Sequence, residues 1–305
     1  KQLTDFWVAI GYRTQAQVDA LLTQFPNDTK WSDVYYKKNI PGYQANLNIS
    51  GGGGKTTYYI SGSYFKQEGL TFRSDFKRYT LRSNVTSTVN KWLSVGMNLV
   101  GGFDQRQTNP YGSNSTNRGL LLLAQPFYSP VDANGNEYQL IPGWGRYHPN
   151  YLAQNILSTS DNVQLNPTGY IQISPVKNLI FKTQAGIEAY DYTTSNLQKP
   201  SFIGSLNNGN ASEAYQREVT KTVTNTAEYS FKINGNNSVT ALAGQEFISD
   251  KFKSFNASST GLTDDRLVLI SAGPSNRNLG AGQNAYAYLS YFGRLDYDLN
   301  KKYYL

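Results

Sequence analysis

The sequence predicts an all-β chain, an antiparallel meander of about nine to ten strands forming part of a large transmembrane β-barrel. Three observations carry that expectation. Turns alternate between short and long: tight polar turns fall at Gly51–Gly54, Asn90–Lys91, Pro175–Asn178, Asn234–Asn237 and Asn300–Lys302. Between them lie the irregular segments Gln67–Asp75, Gln107–Ser160, Thr193–Ser212 and Lys251–Gln283. Short periplasmic turns and long extracellular loops produce that asymmetry in an outer-membrane barrel, whereas a soluble sandwich has no reason to gather its long loops at one end. The second observation is a period of two: Val163, Leu165, Ile171 and Ile173 alternate with Gln164, Asn166, Gln172 and Ser174. Strands point successive side chains to opposite faces, so each strand has one apolar and one polar face. Third, segments such as Phe76–Val89 and Lys91–Arg106 exceed the roughly 9–11 residues of a membrane-crossing strand. Ordinary globular strands have a mode of about 5–6.

The elements follow in order. Residues 1–42 differ from the rest and read as an extracellular loop and helical segment. Thr14–Thr23 is helical, with Val18, Leu21 and Leu22 on one face and Pro26 closing it, and Trp31–Lys38 adds a turn. Residues 43–305 are strands. Leu179, Phe181 and Ile187 continue the apolar face against Lys182, Gln184 and Glu188, and Val223, Ala227, Tyr229 and Phe231 repeat it. Trp92, Tyr170, Tyr190, Phe231 and Tyr303 stand near strand ends, where aromatic girdles of a barrel sit. The start at Lys1 and the stop at Leu305, just inside a further strand, suggest a piece of a longer protein.

Composition agrees. The chain holds 24 Tyr, 14 Phe and 4 Trp but no Cys, one Met and one His. Tyr, Thr and Phe suit pleated surfaces and Asn and Gly suit turns. No run approaches the ~18 apolar residues of a membrane helix, which does not exclude a barrel. The charge of +7 is scattered, unlike the clustered face of a nucleic-acid protein, so no nucleic-acid partner is expected. Absence of Cys removes disulfides and thiol chemistry.

Few motifs point to chemistry. Gly54-Lys55-Thr56 ends like a phosphate-binding loop, but Ile49 occupies the required first glycine and a strand follows. Asp132-Ala133-Asn134-Gly135-Asn136-Glu137 faintly suggests a calcium loop, yet Asn134-Gly135 is a hairpin signal. Calcium held by loop carboxylates such as Asp264 and Asp265 lacks support, and no cofactor is expected. A single histidine, His148, forbids a multi-histidine metal site. Glu68, Asp75, Glu188, Glu228 and Glu246 are scattered singly, and glycosidase chemistry needs a pair. The best ligand candidates are loop side chains: Tyr111, Trp144, Arg146, Tyr147, His148 and Tyr151. Aromatic area beside hydrogen-bond donors suits sugars or peptides, although the same residues can simply pack the loop.

The stretch from Asn46 through Ser50-Gly51-Gly52-Gly53-Gly54-Lys55-Thr56 to Gly69-Leu70 resembles the early barrel of SusC/RagA-type TonB-dependent transporters of Bacteroidota. Trp31-Ser32-Asp33, Arg78–Val85, Trp92–Leu99, Gly244–Phe247 and Tyr288–Tyr297 continue the resemblance in order. It implies a plug domain, absent from this chain, inside a 22-stranded barrel. It also implies a SusD-like surface lipoprotein as lid and energy from the TonB–ExbB–ExbD complex acting on a missing N-terminal region. The cargo would be an oligosaccharide or peptide. The expected role is therefore non-enzymatic: the barrel portion of an outer-membrane importer. Val163, Leu165, Ile171, Ile173, Leu179, Phe181 and Ile187 would face lipid. The rival reading is a secreted soluble β-protein binding carbohydrate through its long loops, with the apolar faces pressed together in a dry core.

Overall fold

Residues 2–108, 124–205, 208–234, 237–299 and 302–304 are described by a computed structural model. Among these residues ten strands form one antiparallel sheet in the order β1-β2-β3-β4-β7-β8-β9-β10-β11-β12, each pairing with the strand of the sheet that precedes it in the chain. They are β1 Gly42–Gly53, β2 Thr56–Gln67, β3 Phe76–Asn90, β4 Leu93–Thr108, β7 Ile156–Ile173 and β8 Leu179–Gln198. The sheet continues through β9 Asn210–Asn234, β10 Asn237–Thr260, β11 Ser275–Leu299 and β12 Tyr303–Tyr304. Within the long β4–β7 connection, β5 Leu140–Ile141 pairs with β6 Arg146–Tyr147. Helices α1 Gln2–Ala9, α2 Gln15–Gln24, α3 Trp31–Tyr35 and α4 Pro149–Asn155 lie outside the sheet. Among the described residues no helix is long and apolar enough to cross a membrane.

The glycine run resolves into a two-residue hairpin at Gly54–Lys55, with Gly51 to Gly53 already in β1. The long loops are shorter than the sequence suggests. β10 persists to Thr260 and β11 resumes at Ser275, and β8 and β9 are separated only by residues 199–209. Polar and charged residues such as Lys251 and Lys253 looked like loop, but the ladder satisfies the backbone whatever the side chains outside do.

Register converts the alternation into two faces. Leu47, Gly62, Leu81, Gly101, Leu165, Ala189 and Val219 form one cross-strand row, all apolar. The adjacent row, on the opposite face, runs Asn48, Ser61, Arg82, Val100 and Asn166. Large side chains on the apolar face have no partner layer: Ile171 is 52% exposed and Val163, Leu165, Ile173, Phe181 and Ile187 are likewise exposed, with Leu179 half-buried. Among the described residues the dry two-sheet core of the rival reading is therefore not formed.

An aromatic row marks the upper edge of the apolar face. Tyr64, Tyr79 and Phe103 are register partners on β2, β3 and β4, with ring centroids 5.0 and 6.3 Å apart. Farther along the same row stand Val163, Asp191 and Arg217, the last two joined by an ion pair. Two expected girdle residues fall elsewhere. Tyr170 pairs with Gly96 on the polar face, where a Cβ at Gly96 would come 2.2 Å from its ring and where the Lys182 ammonium sits 4.7 Å from the ring centre. Tyr190, also on the polar face, accepts a hydrogen bond from Gln164 Nε2 at 3.3 Å. Their even numbering sets their face, whatever their height along the strand.

Candidate functional site

The buried core lies among the loops. Thr14 caps α2 with a reciprocal box: its hydroxyl accepts from Gln17 N at 3.3 Å, and the Gln17 side chain accepts from Thr14 N at 2.9 Å. The chain after α2 is stitched to the β4–β7 connection. Thr29 N donates to Pro126 O (2.6 Å), Thr29 Oγ1 to Tyr128 O (2.6 Å) and Trp31 Nε1 to Gln125 O (2.9 Å). Trp31, Tyr35 and Ile141 form a buried cluster packed by Tyr128 and Trp144. The β5–β6 turn closes over it: Gly143 has φ +76° and a Cβ there would lie 2.3 Å from the Phe25 ring, so only glycine fits. This module is tied to the β2–β3 loop. Lys37 N donates to Leu70 O, and its ammonium lies 3.5 Å from Glu68 and 3.6 Å from Asp75.

The expected ligand residues take distinct places. Trp144 packs on Trp31 (5.0 Å) and stacks with Tyr128 (6.2 Å). Arg146 is exposed and close enough to Tyr35 to oppose the upward push that burial gives that phenol. His148 is only 3% exposed and caps α4, its Nδ1 accepting from Asn150 N at 3.2 Å. Burial holds its imidazole below the usual histidine value, against Glu137, whose Oε2 lies 3.7 Å from Nδ1. Tyr151 accepts from Ile203 N at 3.1 Å through its hydroxyl and, with Tyr147, packs on Phe202. Tyr111 lies outside the described residues.

Tyr147 borders an open cleft of about 560 Å³ at the long-loop end of β7, β8 and β9. Phe202 forms its other aromatic wall, and Asn196, Gln198, Asn210 and Ser212 supply amides and a hydroxyl from the polar face. Asn210 Nδ2 donates to Gln198 Oε1 at 2.9 Å, which fixes two of these groups. Rings beside oriented amides can stack on and hydrogen-bond a sugar or a peptide backbone. Sequence reading missed Phe202 and the four polar residues because they belong to a segment taken as loop. The Asp132 carboxylate is occupied by its own turn, accepting from Asn134 N, Asn136 N and Asn136 Nδ2. Asp264 pairs with Arg266 and Asp265 accepts from Ser201. Among the described residues no group of three or more His, Cys, Asp or Glu gathers as metal ligands would.

A single meander of long strands, apolar on one face and polar on the other, with its long loops at one end, is part of a large transmembrane β-barrel of the outer-membrane type. The chain resembles SusC/RagA-type TonB-dependent transporters across most of its length. TonB-dependent receptor P26 of Formosa agariphila is 27% identical over 296 residues, which cover 92% of this chain and 29% of that protein. Receptor P3 of the same organism is 24% identical with the same coverage. The RagAB peptide transporter superposes with a TM-score of 0.82 at 34% identity, covering 92% of this chain and 32% of that one. The siderophore receptor PiuA of Acinetobacter baumannii shares the fold alone, at a TM-score of 0.50 and 12% identity. No family model matches the chain. The chain thus spans less than a third of the length of receptors P26 and P3 and of the RagAB chain.

Proposed function

We propose that this chain is the barrel-wall portion of an active, TonB-dependent outer-membrane importer of peptides or oligosaccharides, with no enzymatic step. The observation that carries the reading is the close superposition on the RagAB peptide transporter at 34% identity, which favours peptides. In this arrangement the apolar face, with Val163, Leu165, Ile171, Ile173, Leu179, Phe181 and Ile187, meets lipid, and the polar face lines the lumen. Residues 1–42 stand outside the cell with the long loops. A SusD-like lipoprotein covers the mouth, and the TonB–ExbB–ExbD complex drives entry by moving a plug held within the complete barrel. The cleft between Tyr147 and Phe202 makes first contact with cargo, Tyr151 supporting Phe202 from behind and Trp144 and His148 shaping the loop; Arg146 offers an exposed cation nearby.

The test is uptake of labelled short peptides by cells carrying or lacking the full-length gene. Import should vanish on deletion and on collapse of the proton gradient, and fall with Tyr147→Ala. Uptake unchanged by deletion, with the protein present in the outer membrane of the parent strain, would sink the reading.

A further inference from the structure

We infer that the inner-wall cleft around Arg78 and Arg82 binds a carboxylate of the imported peptide; this rests on the peptide-import reading above. Both arginines occupy even positions of β3, on the polar face, with Thr80 between them. Their register partners on β2 are Phe65 and Ser61. Together with Asn46, Asn48 and Tyr59 they line a cleft of about 430 Å³, distinct from the one at the mouth.

The arginines are held ready without being neutralised. The Phe76 ring lies under the Arg78 guanidinium at 4.9 Å and under that of Arg106 at 5.6 Å, which adds a third positive charge to the same sector. Among the described residues neither Arg78 nor Arg82 has a carboxylate within ion-pair distance. Asp104 is the register partner of Arg78, but its carboxylate accepts from Asn162 Nδ2 at 3.1 Å instead. Arg82 is flanked by Ser61 and Val100.

Charged side chains within a membrane wall face its water-filled interior, where they mark the path of a charged ligand. The polar face also sorts charge by sector. Five carboxylates lie on this face of β8, β9 and β10, at Glu188, Glu218, Glu228, Glu246 and Asp250, whereas β3 and β4 carry Arg78, Arg82 and Arg106 there against the one carboxylate of Asp104. An anion entering the lumen is repelled there and attracted to β3 and β4. Guanidinium forks match a carboxylate in two parallel hydrogen bonds, and the neighbouring amides and hydroxyls solvate its remaining lone pairs.

The experiment uses the full-length protein in lipid nanodiscs and one synthetic peptide prepared with a free C-terminal carboxylate or as the carboxamide, titrated by calorimetry. The wild type should bind the acid about tenfold more tightly than the amide, as a charge-assisted pair implies. The double variant Arg78→Gln/Arg82→Gln should bind both forms with the affinity of the amide, and Glu188→Gln should keep the preference. Should the double variant fail to assemble, Arg82→Gln alone should reduce the preference about threefold or more by the same reasoning. Retention of the full preference by the arginine variants overturns the inference, as does equal, measurable binding of both peptides by the wild type. Binding of neither peptide by the wild type overturns the peptide-import reading itself.

Discussion

The sheet and the loop module above it obey opposite solvents. In the module, water drives assembly: Tyr35 and Ile141 are fully buried, Phe127 nearly so, and rings pack at 5–6 Å. In the sheet, side chains as large as Leu47, Ile171 and Tyr291 stand exposed on a face with nothing over it. The same apolar residue types therefore signal an interior in one region and an exterior in the other. What distinguishes them is pattern. Strict alternation belongs to the wall, while irregular aromatic clusters belong to the water-folded loops.

The largest test of that contrast is Trp31→Ala. Truncating a buried aromatic costs about 3–5 kcal/mol, and hydrogen exchange should accelerate across residues 25–36 and 125–145 while β7 to β10 remain protected. Equal loss in the strands would show that the two regions are one cooperative unit. Next comes Ile171→Arg in the full-length protein, expected to destabilise folding into lipid vesicles by about 2–4 kcal/mol if that row sits mid-membrane. A smaller effect attaches to His148. Its folded-state value is depressed, so its contribution is present above the ordinary value of 6.5 and is lost as pH falls through the folded value. Protonation places hydrogen on the nitrogen that caps α4, and loss of a cap costs about 1 kcal/mol. Protease cleavage between residues 137 and 155 should rise from pH 7.5 to pH 5 (about the span over which a histidine titrates), and His148→Asn should flatten the dependence. The smallest effect belongs to Gln172→Arg, within about 0.5 kcal/mol, because that side chain points to the polar face. A cost equal to that of Ile171→Arg would reverse the assignment of faces.

Most of the wall was legible because strand alternation is local. Helix α2 was legible too, since Thr14 and Gln17 advertise its start. Helix α1 was missed: it buries Thr4 and Trp7 and leaves Leu3 and Phe6 exposed, so its apolar stripe does not mark its packed side. Helix α4 is seven residues long and capped by a histidine, an uncommon cap. Tyr170 and Tyr190 were misplaced by reading height along a strand without its parity. The cleft at the mouth was only glimpsed through Tyr147. Its partners come from 49 to 65 residues later in the chain (Asn196 to Ser212), a proximity that only strand pairing creates.

Strand length leaves the rim uneven. β1 and β2 have 12 residues each, whereas β9 and β11 have 25, so at about 3.4 Å per residue the tall side carries roughly twice the span of the short one. The missing height above the short side is made up by the helical module, which rests on the β2–β3 loop through Lys37. A parapet of continuous ladder hydrogen bonds resists bending. A module fastened by ring contacts, a few loop hydrogen bonds and one ammonium group gives way first.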